Sequence, residues 1–153
     1  MHNTIMDIDT VKELREETGI SIMACKKALE ESGGDKDKAR AILRKESDNA
    51  AIKKTERQTH AGVIEAYVHA NKKVGVLVEL RSETDFVSRN PGFSSLAHDI
   101  AMHIAASTPE SVEELLTQPF IKDMDITIHA KIKEAIQKFG EKIEIARFER
   151  FTL

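Results

Sequence analysis

The chain predicts an α+β protein, an N-terminal three-helix bundle followed by a small antiparallel sheet covered by helices. Three observations point there. Residues 9 to 47 carry short stretches of helical apolar spacing, each bounded by a capping residue or glycine. Residues 64 to 80 switch to alternation about a polar turn, and the remainder returns to helical spacing before a closing alternating run. A chain of 153 residues, 41% hydrophobic and 32% charged, is long enough for one good core and a small satellite domain.

Each element has its own justification. Asp9 or Thr10 can cap the first helix, which sets Val11, Leu14 and Thr18 on one face before Gly19 ends it. Ser21 caps the second, with Ile22, Cys25, Ala28 and Leu29 at helical spacing, and Gly33-Gly34 stop it. Asp35 caps the third, whose inner side is Ala39, Ile42 and Leu43. A bundle of this size buries little, so Ile20 and Met23 at the Gly19 turn are expected as a small exposed apolar patch. Lys45 to Thr59 is polar and charged with no sustained apolar face, which predicts a partly helical linker. In the hairpin, Ile64, Ala66 and Val68 alternate with Glu65, Tyr67 and His69, and Asn71-Lys72-Lys73 turns the chain into Val74 to Leu80. Pro91-Gly92 introduces a long helix striped by Phe93, Leu96, Ile100, Ile104 and Ala105. Pro109 ends it, a short helix follows near Val112 to Leu116, and a further helix spans Ile128 to Phe139 before Gly140. Ile143, Ile145 and Arg147 then alternate in a closing strand.

One segment stands apart. Ser82 to Asn90 is polar, yet Phe86 sits at its centre beside Asp85. That ring either staples back onto Leu96 or projects toward another molecule, while Asp85 either caps the following turn or bonds to that molecule.

Composition excludes several classes. Net charge is -3, with eleven acidic and eleven basic side chains in residues 1 to 54, so neither part forms the basic patch that phosphate binding needs. With 5% aromatics there is little for bases to stack on, and direct nucleic-acid binding is not expected. No apolar run approaches the roughly 20 residues of a membrane span, and Met1 to Ile5 lack the basic and apolar regions of a signal peptide. These features predict a cytoplasmic protein without membrane contact. Cys25, the single cysteine, lies on an apolar helical stripe and reads as a small hydrophobe. His98 and His103 are five residues apart and do not share a helix face as zinc ligands would, and no other histidine has a suitably spaced partner. With no phosphate loop and no positioned nucleophile, the chain reads as a binder rather than an enzyme, with neither metal nor cofactor.

Val11-Lys12-Glu13-Leu14-Arg15, Thr18-Gly19, Cys25-Lys26-Lys27-Ala28-Leu29 and Glu83-Thr84-Asp85-Phe86-Val87 occur in an order that resembles the translation elongation factor Ts family. Gly140-Glu141, Ile143, Ile145 and Arg147-Phe148 extend the likeness over about Thr10 to Phe148. The resemblance implies a ubiquitin-associated-like three-helix domain over 1–47, a linker over 48–59 and an α+β dimerisation core over 60–153. It also implies guanine nucleotide exchange on elongation factor Tu, bound in its GDP-loaded and nucleotide-free forms. On matching positions, Thr84, Asp85, Phe86 and Val87 would enter the partner near its magnesium and phosphate site. Arg15, Ile22, Met23 and Lys26 would grip its nucleotide domain. Ile22 and Ala24 depart from the methionine and acidic residue more usual in the family. Longer members carry a second core subdomain, so a chain of this length is expected to supply it by homodimerisation through its apolar C-terminal strand. Two readings from other classes are an adaptor binding through the three-helix domain, in which Phe86 is dispensable, and a small hydrolase pairing Asp85 with His98.

Overall fold

Capping chemistry sets the first three helices of the computed structural model, which describes residues 7–153. The signal-peptide reading of Met1 to Ile5 lies outside the described residues. Helix α1 (Ile8–Thr18) starts two residues earlier than the sequence suggested, because Asp7 is the cap and its carboxylate accepts from the Asp9 N–H. Helix α2 (Ile22–Glu31) is capped by Ser21, and α3 (Lys36–Lys54) by Asp35. Val11, Leu14, Ile20, Cys25, Ala28, Leu29, Ala39 and Leu43 form the bundle core. On its surface Lys36 bridges Glu13 and Glu17 at 2.9 and 2.6 Å, and Arg40 meets Glu17 at 2.8 Å. Hydrogen bonds from Lys36 and then Arg40 hold the Glu17 carboxyl below its ordinary range.

Of the expected exposed pair, Met23 is exposed and Ile20 is not. Ile20 is 4% exposed, whereas Ile22 is 50% exposed. Ile20 directly precedes the Ser21 cap and lies in the same core as Cys25 four residues into the helix, the arrangement of a hydrophobic staple, while Ile22 begins the helix on its outer side. The core partner predicted by helical spacing is thus replaced by one predicted by the cap.

Helix α3 does not stop at the expected linker. Leu43, Ser47 and Ala51 recur every four residues, and no glycine or proline interrupts the run to Lys54. Its first half closes the bundle, and its second half lies on α7 (Ile128–Phe139), where Lys133 and Asp48 pair at 2.6 Å. Small residues at 47 and 51 allow this approach, and their mild hydrophobicity hid the stripe from the sequence pattern.

The sheet runs β1 (Ala61–Val68), β2 (Val74–Ser82) and β5 (Glu144–Thr152), all antiparallel with β2 central. One face packs Val76, Val78 and Leu80 against helix α5 (Pro91–Ser107) and α7. Helix α5 is capped by Asn90 and buries Phe93, Leu96, Ala97, Ile100, Ala101 and Ile104. Short helix α6 (Val112–Thr117) follows near its expected place. A small hairpin the sequence did not suggest, β3 (Pro119–Phe120) with β4 (Asp123–Thr127), leads into α7.

In β1 the helices cover the side of Val63, Glu65 and Tyr67, so Ile64, Ala66 and Val68 face outward. In β5 the predicted alternation breaks. Leu80 pairs with Ile145 but Glu79 pairs with Arg147, leaving Ala146 as a bulge. Beyond it the faces exchange: Arg147 points out, Phe148 packs on the core, and the Arg150 guanidinium donates to the Ala105 carbonyl at 3.0 and 3.3 Å. Among the described residues no helix is long and apolar enough to cross a membrane.

His103 is fully buried, and its bonds fix its tautomer. The Ile121 N–H donates to Nδ1 at 3.3 Å, so Nε2–H donates to Gln118 Oε1 at 2.9 Å. Burial lowers its pKa, outweighing the Gln118 bond. The unfolded chain therefore binds the proton more readily. Stability is expected to be full above about pH 6.5 and to fall as the pH drops from there through the lowered native value. Denaturant titrations at pH 5.5 and 7.5 should show this loss, and His103→Gln should reduce the difference between them. A second test concerns the β1–β2 approach, where a Cβ at Gly62 would strike the Leu80 carbonyl oxygen. Gly62→Ala should cost about 1–3 kcal/mol in chemical denaturation.

Candidate functional site

The segment after β2 forms a single helical turn, α4 (Asp85–Ser88), before the Asn90 cap of α5. Phe86 is 87% exposed and Val87 4%. Adjacent residues on a helix point about 100° apart, so the turn that seats Val87 among the core residues aims the Phe86 ring into solvent. The staple onto Leu96 does not form. Val87, expected beside Phe86 at the contact surface, is instead the anchor of the turn.

Asp85 is exposed in the first turn of α4, and Asn90 rather than Asp85 caps the following helix. A shallow groove beside Asp85 is lined by Thr59, His60, Gly62, Glu79 and Arg81. Thr84 is the N-cap residue by backbone, yet its hydroxyl makes no cap bond to its own helix. Its N–H donates to Glu141 Oε1 at 3.0 Å and its hydroxyl to Glu141 Oε2 at 2.7 Å. Next to it, Glu83 Oε1 accepts from the Lys142 N–H at 2.7 Å, and Arg57 approaches the same oxygen at 3.5 Å. Glu83, Glu141 and Lys142 were not expected among the site residues. Glu141 had been visible only as part of Gly140-Glu141, since nothing local in sequence links it to Thr84.

The second group of expected residues lies on the bundle. Met23 is 77% exposed and stands beside half-exposed Ile22. Lys26, three and four residues on, shares that side of α2 and approaches Glu30 at 3.9 Å. Arg15 is exposed in the last turn of α1. Thr84 to Val87 belong to a different element, so the expected site consists of two separate groups, each presenting an exposed apolar side chain beside charge.

A family model described as Elongation factor TS matches residues 83–153, which contain the α4 turn and Glu141. The elongation factor Ts of Rubrobacter xylanophilus is 41% identical over 191 aligned positions, covering 95% of this chain and 98% of that protein. That of a Synechococcus strain (JA-3-3Ab) is 40% identical, covering 97% and 69%, and that of Desulforamulus reducens is 40% identical, covering 94% and 87%. The alignments are longer than this chain, so these relatives hold residues within the matched span that it lacks. Identity of this level sustained from the bundle through the sheet leaves one assignment: the chain belongs to the elongation factor Ts family.

Proposed function

We propose that the protein is a guanine nucleotide exchange factor for elongation factor Tu, acting in the cytoplasm during translation elongation. The observation that carries this reading is the Phe86 ring, 87% exposed on a turn fixed to the core by Val87. An exposed ring on a turn fixed to the core offers a partner a preformed contact with little ordering cost on binding.

Exchange makes and breaks no covalent bond. The factor binds the nucleotide-free GTPase more tightly than the loaded one, and by reciprocity returning nucleotide weakens the factor's own grip. Accelerating GDP release by ~10⁴ requires lowering the barrier by ~5.4 kcal/mol. Burying one phenylalanine contributes ~1.5 to 3 kcal/mol, so Phe86 needs a second contact. Met23 and Ile22, with Arg15 and Lys26 around them, supply it on the partner's nucleotide domain. The division of labour follows 1–47 as a ubiquitin-associated-like gripping domain and 60–153 as the core, joined through 48–59. Phe86 wedges between elements holding the partner's magnesium, and Asp85 takes hydrogen bonds from the opened loop. Loss of the metal's bridge then frees the diphosphate.

A homodimer fits the same reading. The outward sheet face gathers Ile64, Ala66, Val68, Leu77 and Phe151, with Glu79 and Arg147 paired beside them at 3.2 Å. An apolar face rimmed by both charge signs is self-complementary about a two-fold axis. The proposed contact is the sheet's face, to which β5 contributes Phe151.

Phe86→Ala should lower stimulated release of a fluorescent GDP analogue by at least about tenfold while changing unfolding free energy by less than about 0.5 kcal/mol. Val87→Ala should cost about 1–3 kcal/mol in stability. No acceleration by folded wild-type protein would overturn the exchange reading and leave the adaptor role. Sedimentation at micromolar concentration should give twice the monomer mass, and Phe151→Glu should return it to the monomer.

A further inference from the structure

We infer that Glu141 is a positioning residue for the exchange wedge, holding α4 in the orientation that aims Phe86 outward. The inference rests on the exchange reading above and assigns that function a residue distant from the wedge in sequence.

A four-residue helix has no stability of its own, because the first turn fixes several dihedrals for a single hydrogen bond. Something outside it must set its direction. Val87 and Ser88 are buried and anchor the second half of the turn, which leaves the direction of its first residues to be set from elsewhere. Thr84 supplies the remaining constraint. Its N–H and hydroxyl go to the two different oxygens of one carboxylate, so the fork fixes angle as well as distance. The hydroxyl of an N-cap threonine ordinarily bonds its own helix; here it is committed to Glu141.

The contact is doubled in reverse by the neighbouring residues, since Glu83 accepts from the Lys142 N–H. Residues 83–84 and 141–142 thus exchange side-chain to backbone bonds across 57 to 59 positions of chain. From the other side, the Ser82 hydroxyl donates to the Thr84 carbonyl at 2.9 Å. Lys142 also reaches the Thr55 carbonyl at 3.0 Å, tying the clasp to the end of α3. Gly140, at φ 72°, ends α7 in the left-handed turn that brings Glu141 directly off the helix toward Thr84.

Glu141 is outside the buried core, so losing its carboxylate removes the fork without opening a cavity. That separates a positioning role from a merely structural one. Glu141→Ala, Glu141→Gln and Thr84→Val in the full-length protein form the test, read by amide hydrogen exchange of the free protein, chemical unfolding, and GDP release from elongation factor Tu at saturating and limiting factor. Glu141→Ala should speed exchange at the Thr84 amide by about tenfold and, because the fork is absent from the unfolded chain as well, shift the unfolding equilibrium by no more than about that same factor, with cooperative unfolding retained. The saturating release rate should fall by about tenfold, with the half-saturating concentration within about twofold because the bundle contacts remain. Glu141→Gln keeps an acceptor for the Thr84 N–H and should recover much of the rate. Adding Thr84→Val to Glu141→Ala should cost little more, as two ends of one interaction do.

Unchanged release by Glu141→Ala while wild type accelerates it would overturn the positioning role alone. Loss of the cooperative unfolding transition, or core exchange faster by far more than about tenfold, would also overturn it, by showing a structural role. If wild type itself fails to accelerate release, the exchange reading falls and this role with it.

Discussion

Adjacent side chains on a helical turn point about 100° apart, and the site of this protein depends on which side of α4 the core takes. Val87 takes the core side of α4, and Phe86 is left in water as a result. The surrounding structure serves to keep this arrangement from relaxing. Ser82 and Glu141 hold the turn's start, and Asn90 begins a long helix immediately after its end. The central strand β2 feeds directly into it, paired on both sides over nearly its whole length. An apolar ring on a loose loop would fold back onto the nearest apolar surface; here the backbone gives it no path to do so.

Much of the fold was legible from short-range chemistry. Ser21 and Asp35 act as caps where the sequence put them, and α7 keeps its expected ends because Thr127 and Gly140 bound a clean apolar stripe. What failed depended on information outside the local window. The first helix reads as capped at Asp9 or Thr10, but Asp7 caps it and adds two residues to its start. Ile20 and Ile22 exchange roles because a residue before a cap can reach the core while one at the helix start cannot. The bulge at Ala146 leaves no trace in composition, so alternation read correctly through Ile145 assigns every later side chain to the wrong face.

The site divides the same way. Phe86 was conspicuous because a lone aromatic in a polar stretch is a local anomaly, while Met23 stood out by its place at the Gly19 turn, away from the main apolar stripe. Val87 was misread because the facing of one turn depends on how the strand delivers it to the helices. Glu83 and Glu141 were invisible as partners, since a surface carboxylate looks alike whether it is solvated or clasping a backbone amide from the far end of the domain.

Helix α3 belongs to both hydrophobic clusters, with Leu43 in one and Ala51 packed on the other. A hydrogen-bonded ladder of 19 residues cannot melt at one end without shortening the nucleus that sustains the other. Opening the bundle would therefore withdraw support from a helix that also packs on α7, where Asp48 meets Lys133. The two hydrophobic clusters share one helix, whose C-terminal end lies where Lys142 holds the Thr55 carbonyl, so a displacement of the bundle would carry that end with it.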